Sequence, residues 1–122
     1  MSNAQSRIVI IGAGVAGLSI GWRLAQRGVA VTLFERHEAG QGASHAAAGM
    51  LAACAEVEPG EEKLFALNRA SQALWPQFAA ELERASGVTV DLRREGTLVI
   101  ALTADDRVRL QHDLAFQQQL GL

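Results

Sequence analysis

One cysteine, Cys54, stands in the whole chain. It has no partner for an internal disulfide, and so little cysteine suits a reducing compartment. The three histidines, His37, His45 and His112, are scattered, and none pairs with Cys54 at a metal-ligand spacing, so no metal site is expected. The one GxSxG string, Gly17-Leu18-Ser19-Ile20-Gly21, falls inside an expected helix and not on a sharp strand-to-helix turn, so it is not the hydrolase type of nucleophile elbow. There are no internal repeats. Neither sign of charge dominates: 11 Lys and Arg face 13 Asp and Glu, a formal net charge of −2. That balance gives no electrostatic case for nucleic acid or for an anionic membrane surface. No stretch approaches the roughly 20 consecutive apolar residues of a spanning helix. The apolar run from Ile8 to Ile20 resembles a signal-peptide core, but no cleavage-site pattern follows at the right distance. A cytoplasmic protein is expected on these grounds. Met1-Ser2-Asn3-Ala4 is set aside as a cloning remnant.

What is present is concentrated at the start. Residues 8–17 read Ile8-Val9-Ile10-Ile11-Gly12-Ala13-Gly14-Val15-Ala16-Gly17, followed by an amphipathic stretch and then Val31-Thr32-Leu33-Phe34-Glu35. This is a strand, a glycine turn, a helix and a second strand that ends on an acid. Gly12 permits the tight turn out of the strand. Gly14, without a Cβ, lets a pyrophosphate approach the backbone. Gly17 lets the helix pack close to the strand. The helix start offers unpaired amides and a positive dipole end to phosphate. Glu35 falls where a carboxylate accepts both ribose hydroxyls of an adenosine, which favours a cofactor without a 2′-phosphate; Arg36 offsets part of that preference. The context raises the motif above a bare GxGxxG. The residues before Gly12 are β-branched, Leu18, Ile20, Trp22, Leu24 and Ala25 recur among polar positions, and Gly28 closes the helix.

The spacing predicts strands over 7–12 and 30–35 and a helix over 15–27. Residues 37–60 carry turn signals and small side chains but no obvious element; so long a segment with so little charge reads as functional rather than disordered. Leu64, Leu67, Ser71, Leu74, Phe78, Leu82 and Ala85 recur every three or four residues, which predicts a helix over 61–86 with one buried stripe. Pro76 predicts a kink or a restart after Trp75, and Gly87 the end. Val88–Leu92 alternates as a strand, Arg93-Arg94-Glu95-Gly96 reads as a turn, and Thr97–Leu102 as a second strand, so a hairpin is expected. Thr103 and Asp106 predict a capping box for a helix over 104–119. The fold class expected is α/β: a Rossmann-like βαβ unit, a long helix and the start of an antiparallel sheet. The expected organisation is 1–60 as the nucleotide-binding part and 61–122 as the start of a second domain. Only two strands clearly belong to the parallel sheet, so the chain reads as the front of a larger protein.

Gly42-Ala43-Ser44-His45-Ala46-Ala47-Ala48-Gly49-Met50-Leu51-Ala52 is the second informative segment. Small side chains let backbone amides and carbonyls approach a planar ring, as a flavin requires. A flexible Ala/Gly linker has the same composition. The string ASHAAAGMLA, preceded by GAGVAGLSIGWRLAQRG and VTLFER, resembles the flavin-dependent amine oxidases of the D-amino acid oxidase group. Within that group it is similar to the glycine oxidases of the thiamine pathway. Ala55-Glu56-Val57-Glu58, the helix around Arg69-Ala70-Ser71-Gln72 and LRREGTLVIAL (92–102) extend the resemblance over nearly the whole chain.

The resemblance implies FAD held at the pyrophosphate by Gly12, Gly14, Val15, Ala16 and Gly17, and at the adenosine end by Glu35 and Arg36. It places Ala43 and Ser44 toward the phosphates and Ala48, Gly49, Met50 and Ala52 along the flavin ring. It also implies a small amino acid substrate, oxidised to the imine, with hydrogen peroxide formed when oxygen reoxidises the flavin. The family takes the arginine and tyrosines that hold the substrate carboxylate from later sequence. This chain has no tyrosine, so no catalytic residue is assigned and the 122 residues alone are expected to be inactive.

Two other readings stand beside this one. One is an FAD-dependent D-amino acid or sarcosine-type oxidase or dehydrogenase. The other is a non-catalytic nucleotide-binding fragment that hides its unpaired apolar face by forming a homo-oligomer. Cys54 is expected to be a free buried thiol, His45 and Arg93-Arg94 surface groups, and Trp22 and Trp75 packing residues.

Overall fold

The computed structural model describes residues 7–122, so the Met1–Ala4 remnant lies outside the described residues. The chain divides into two compact units, Met1–Met50 and Leu51–Leu122.

The first unit is built on β1 (Arg7–Ile11), α1 (Val15–Gln26) and β2 (Ala30–Phe34). The β-branched runs form two parallel strands, paired in register from Arg7 with Ala30 to Ile11 with Phe34. Two parallel strands need a crossover, and α1 supplies it. Gly12 leaves β1 with φ +100 and donates its amide to the Phe34 carbonyl at 2.7 Å. The helix ends on a Schellman motif: the Gly28 amide donates to Ala25 (2.9 Å) and the Val29 amide to Leu24 (3.1 Å), with Gly28 at φ +74. Gly21 brings α1 onto the sheet. A Cβ there would lie 3.5 Å from Ile10 and 3.8 Å from Val31. The segment after β2, expected to lack any element, contains a single helical turn, α2 (Ala43–Ala46).

The second unit holds α3 (Glu62–Ser86) and α4 (Ala104–Gln119). The restart expected after Trp75 does not occur, and α3 runs through Pro76. Proline at that position removes one bond, the one its amide would have made to the Gln72 carbonyl, and the turns on either side hold the helix together. Gly87 ends α3 in the left-handed region at φ 72. The buried stripe is also corrected. Leu64, Leu67 and Leu74 are exposed, and only Ala79 of this helix is buried. The periodicity is real, but no other element of the described chain covers that face.

The hairpin expected over 88–102 does not form: among the described residues, β1 and β2 are the only paired strands. Local competition explains the loss. The Val90 amide donates to the Glu83 carboxylate at 2.7 Å, and Asp91 takes φ 54, which breaks the alternation. A lone hairpin with no face to pack against is marginal in water, and Leu98 and Leu102 stand 86% and 83% exposed. The capping box is present: the Asp106 amide donates to Thr103 Oγ1, and the Thr103 amide donates to the Asp106 carboxylate. Trp75 packs edge-on against Phe78, and Arg23 lies over the Trp22 ring, so both indoles are packing groups. Cys54 is half-buried rather than buried. The buried apolar residues of the described chain are Ala13, Ala52 and Ala79, all small.

Candidate functional site

The glycine turn of the first unit brings four sequence positions together. Gly17 is required at the first contact: a Cβ there would overlap the carbonyl oxygen of Gly12 and stand 3.3 Å from the Ile10 side chain. Above Gly12 there is open space, with nothing within 4 Å of where a Cβ would be. Ser44, on α2, turns its hydroxyl oxygen to the start of α1 and accepts the Val15 amide at 2.8 Å. A Cβ on Gly14 would meet that same oxygen at 3.1 Å, so Gly14 keeps room for the serine as well as for a ligand. The Ser44 proton remains available to donate outward. The amides of Ala16 and Gly17 have no carbonyl within the helix to bond, and they form part of the positive end of its dipole.

Glu35 organises the other side. Its Oε2 accepts the Ala13 amide at 2.7 Å, and its Oε1 accepts the amides of Arg36 (2.7 Å) and His37 (3.0 Å). A carboxylate offers about four acceptor positions. Three are used by the backbone, and Oε2, which holds only the Ala13 amide, keeps capacity for a further donor. The Ala13 amide, then the His37 amide, hold the Glu35 carboxyl below its ordinary range; partial desolvation opposes them, and the Arg36 amide and the His37 charge add to the lowering. The group is ionised at neutral pH and shaped as an acceptor.

Three positions that sequence reasoning passed over complete the arrangement. Ala13 is fully buried; its amide serves Glu35, and its carbonyl accepts the Gly40 amide at 2.8 Å. Gly40 does this at φ +77, which the run Ala39-Gly40-Gln41-Gly42 signals as a turn without saying what it binds. His37 contributes its backbone amide. Arg36 is exposed and also serves through its amide. Ala43 opens α2, and Ala48, Gly49 and Met50 follow it as exposed chain, with Gly49 at φ +74. Ala52 belongs to the second unit and is buried there.

An anion-binding helix start, an outward hydroxyl and a carboxylate with one free acceptor position suit a diphosphate joined to a ribose. The donor set therefore fits the adenosine diphosphate half of FAD. Residues 7–122 match the family described as FAD dependent oxidoreductase (DAO). The chain belongs to that family. Among its relatives is the glycine oxidase of Geobacillus kaustophilus, 37% identical over 114 residues, which cover 93% of this chain and 30% of the relative. A thiamine biosynthesis oxidoreductase named ThiO, from Rhizobium etli, is 41% identical over 96 residues, covering 78% of this chain and 27% of that protein. The crystal structure of glycine oxidase from Geobacillus kaustophilus superimposes with a TM-score of 0.88 at 36% identity, covering 95% of this chain and 32% of that one. The chain thus spans about a third of the length of the FAD dependent oxidoreductases it matches. Its βαβ unit is their Rossmann-like start.

Proposed function

We propose that the chain is the FAD-binding part of an amine oxidase that converts glycine or a related small amino acid to its imine. The observation that carries this reading is that Ser44 and Glu35 both close on the glycine turn at the start of α1, Ser44 through the Val15 amide and Glu35 through the Ala13 amide. The names of the relatives, glycine oxidase and ThiO, support the substrate class and a place in thiamine biosynthesis.

Bound FAD would take the two electrons released with the amine C–H and pass them to oxygen, giving hydrogen peroxide. The residues of this chain bind and orient. The Ala16 and Gly17 amides and the Ser44 hydroxyl receive the pyrophosphate, with Gly12, Gly14 and Val15 shaping the approach. Glu35 Oε2 accepts a ribose hydroxyl, with Arg36 beside it at the adenosine end. Ala43 joins Ser44 toward the phosphates, and Ala48, Gly49 and Met50 line the flavin ring. In this reading residues 1–60 are the cofactor-binding part, residues 61–122 begin the second domain, and the protein is cytoplasmic. The exposed apolar residues of the described chain favour a second reading, in which these 122 residues by themselves form a self-associating, non-catalytic nucleotide-binding piece.

The test is a visible absorption spectrum of the purified chain after incubation with FAD and removal of free cofactor. Retained flavin bands are expected, and they should vanish in Gly14→Asp, whose carboxylate would stand against the diphosphate. A colourless chain whose tryptophan emission does not respond to FAD would overturn the site.

A further inference from the structure

Within the first unit, the segment that joins β2 to α2 returns to the glycine turn and bonds it at successive points. Glu35 accepts the Ala13 amide at 2.7 Å, the Gly40 amide donates to the Ala13 carbonyl at 2.8 Å, and Ser44 Oγ accepts the Val15 amide at 2.8 Å. Ala13 has no exposed surface, and this segment satisfies both of its backbone polar groups. The first and last bonds come from residues that meet the ligand in the proposed function. Gly40 lies between them in sequence and has no side chain to offer a ligand, so its bond acts through the backbone alone.

Gly40 is selected by angle and not by crowding. It stands at φ +77, and a Cβ there would meet nothing within 4 Å. That angle turns the chain from Ala13 toward α2. The Glu35 carboxylate holds the chain as far as the His37 amide. Without the Gly40 bond, the free chain before Ser44 would be 38–43; with it, only 41–43 is free. Halving a free length favours closure by about threefold.

We infer that Gly40 is a positioning residue: its bond to Ala13 pins the middle of the 35–44 segment and so sets the Ser44 hydroxyl at the start of α1 for the diphosphate. The ligand half of this inference rests on the proposed FAD function; the placing of Ser44 on Val15 is measured without any ligand.

A series of variants in the full chain separates the angle from the amide. Gly40→Asn keeps the amide and tolerates the left-handed region. Gly40→Val keeps the amide and is disfavoured there. Gly40→Pro has no amide and a φ fixed near about −65°. Exchange of the Val15 amide in the cofactor-free chain should stay near wild type in Gly40→Asn and be about threefold faster in Gly40→Pro, with Gly40→Val between them. The Val29 amide, bonded to Leu24 at the far end of α1, should keep its wild-type rate and so reports that the unit is folded. If Gly40→Pro loses that protection, Gly40→Val decides the comparison. A wild-type Val15 rate in the folded variant overturns the pin. The dissociation constant for FAD should rise about threefold in Gly40→Pro, rise in Ser44→Ala, and rise no further in the double variant than in Ser44→Ala, because both act through one hydroxyl. Wild-type affinity in Gly40→Pro, or a double variant whose loss is the product of the two, overturns the positioning role. A wild-type chain that binds no FAD overturns the proposed function and the diphosphate role with it, while the exchange series still decides whether Gly40 places Ser44.

Discussion

At the scale of single residues, the site depends on where side chains are missing and where one carboxylate is placed. Gly17 is fixed by contact, since any Cβ would enter the Gly12 carbonyl, whereas Gly12 is fixed by its backbone angle. Glu35 ties the loop with both of its oxygens, which accept the Ala13, Arg36 and His37 amides. Its carboxyl is lowered first by the Ala13 amide, so the bonded, ionised form is favoured in the folded chain. The stabilisation is therefore complete above the ordinary carboxylate range and is lost as pH falls through the depressed folded value. The expected outcome is fast exchange of the Ala13 amide only at strongly acid pH in wild type. In Glu35→Leu, which has no acceptor, that fast exchange should appear at every pH, as followed by nuclear magnetic resonance. A protected Ala13 amide in the variant would show that the carboxylate does not hold the loop.

At the scale of elements, ends were more legible than faces. The Gly28 and Gly87 stops and the Thr103 box are local: the residues that make each bond lie within a few positions of one another. The same locality makes Thr103 testable. Thr103→Ala removes the acceptor of the Asp106 amide and should cost about 1 kcal/mol. The fraying should be confined to the first turn of α4 in amide exchange, and uniform loss along α4 would contradict it. No restart occurs at Pro76, because proline costs one bond and a steric clash while a helix of 25 residues has many other bonds to continue on. The hairpin fails for the opposite reason. Alternation in 88–102 signals only a face to bury, and a ladder also needs free backbone donors, one of which Glu83 takes.

For the whole molecule, the exposed apolar residues are the dominant property. Ile11 is 89% exposed at the end of β1, and Leu98, Ile100 and Leu102 are exposed together in the segment before α4. Apolar surface of this kind drives association. Sedimentation at rising concentration should show growing oligomers, and Leu98→Lys with Leu102→Lys should shift them toward monomer. A monomer at all concentrations would remove the oligomer expected from the sequence.

The sequence alone determined the βαβ order, the glycine turn, the acid at the end of β2 and the helix caps. Each depends on backbone freedom, β-branching or hydrogen bonds between near neighbours, and such effects are written in short strings. It also carried the family, through segments spread over nearly the whole chain. Only the tertiary structure decided that Ser44 takes the Val15 amide, that Glu35 has one acceptor position left, and that the Gly40 amide meets the Ala13 carbonyl. These bonds join residues tens of positions apart. Which polar group meets which carbonyl follows from packing geometry that no local pattern encodes. Burial belonged to the tertiary level too, because a stripe of leucines states a need for cover and the fold decides whether cover is there.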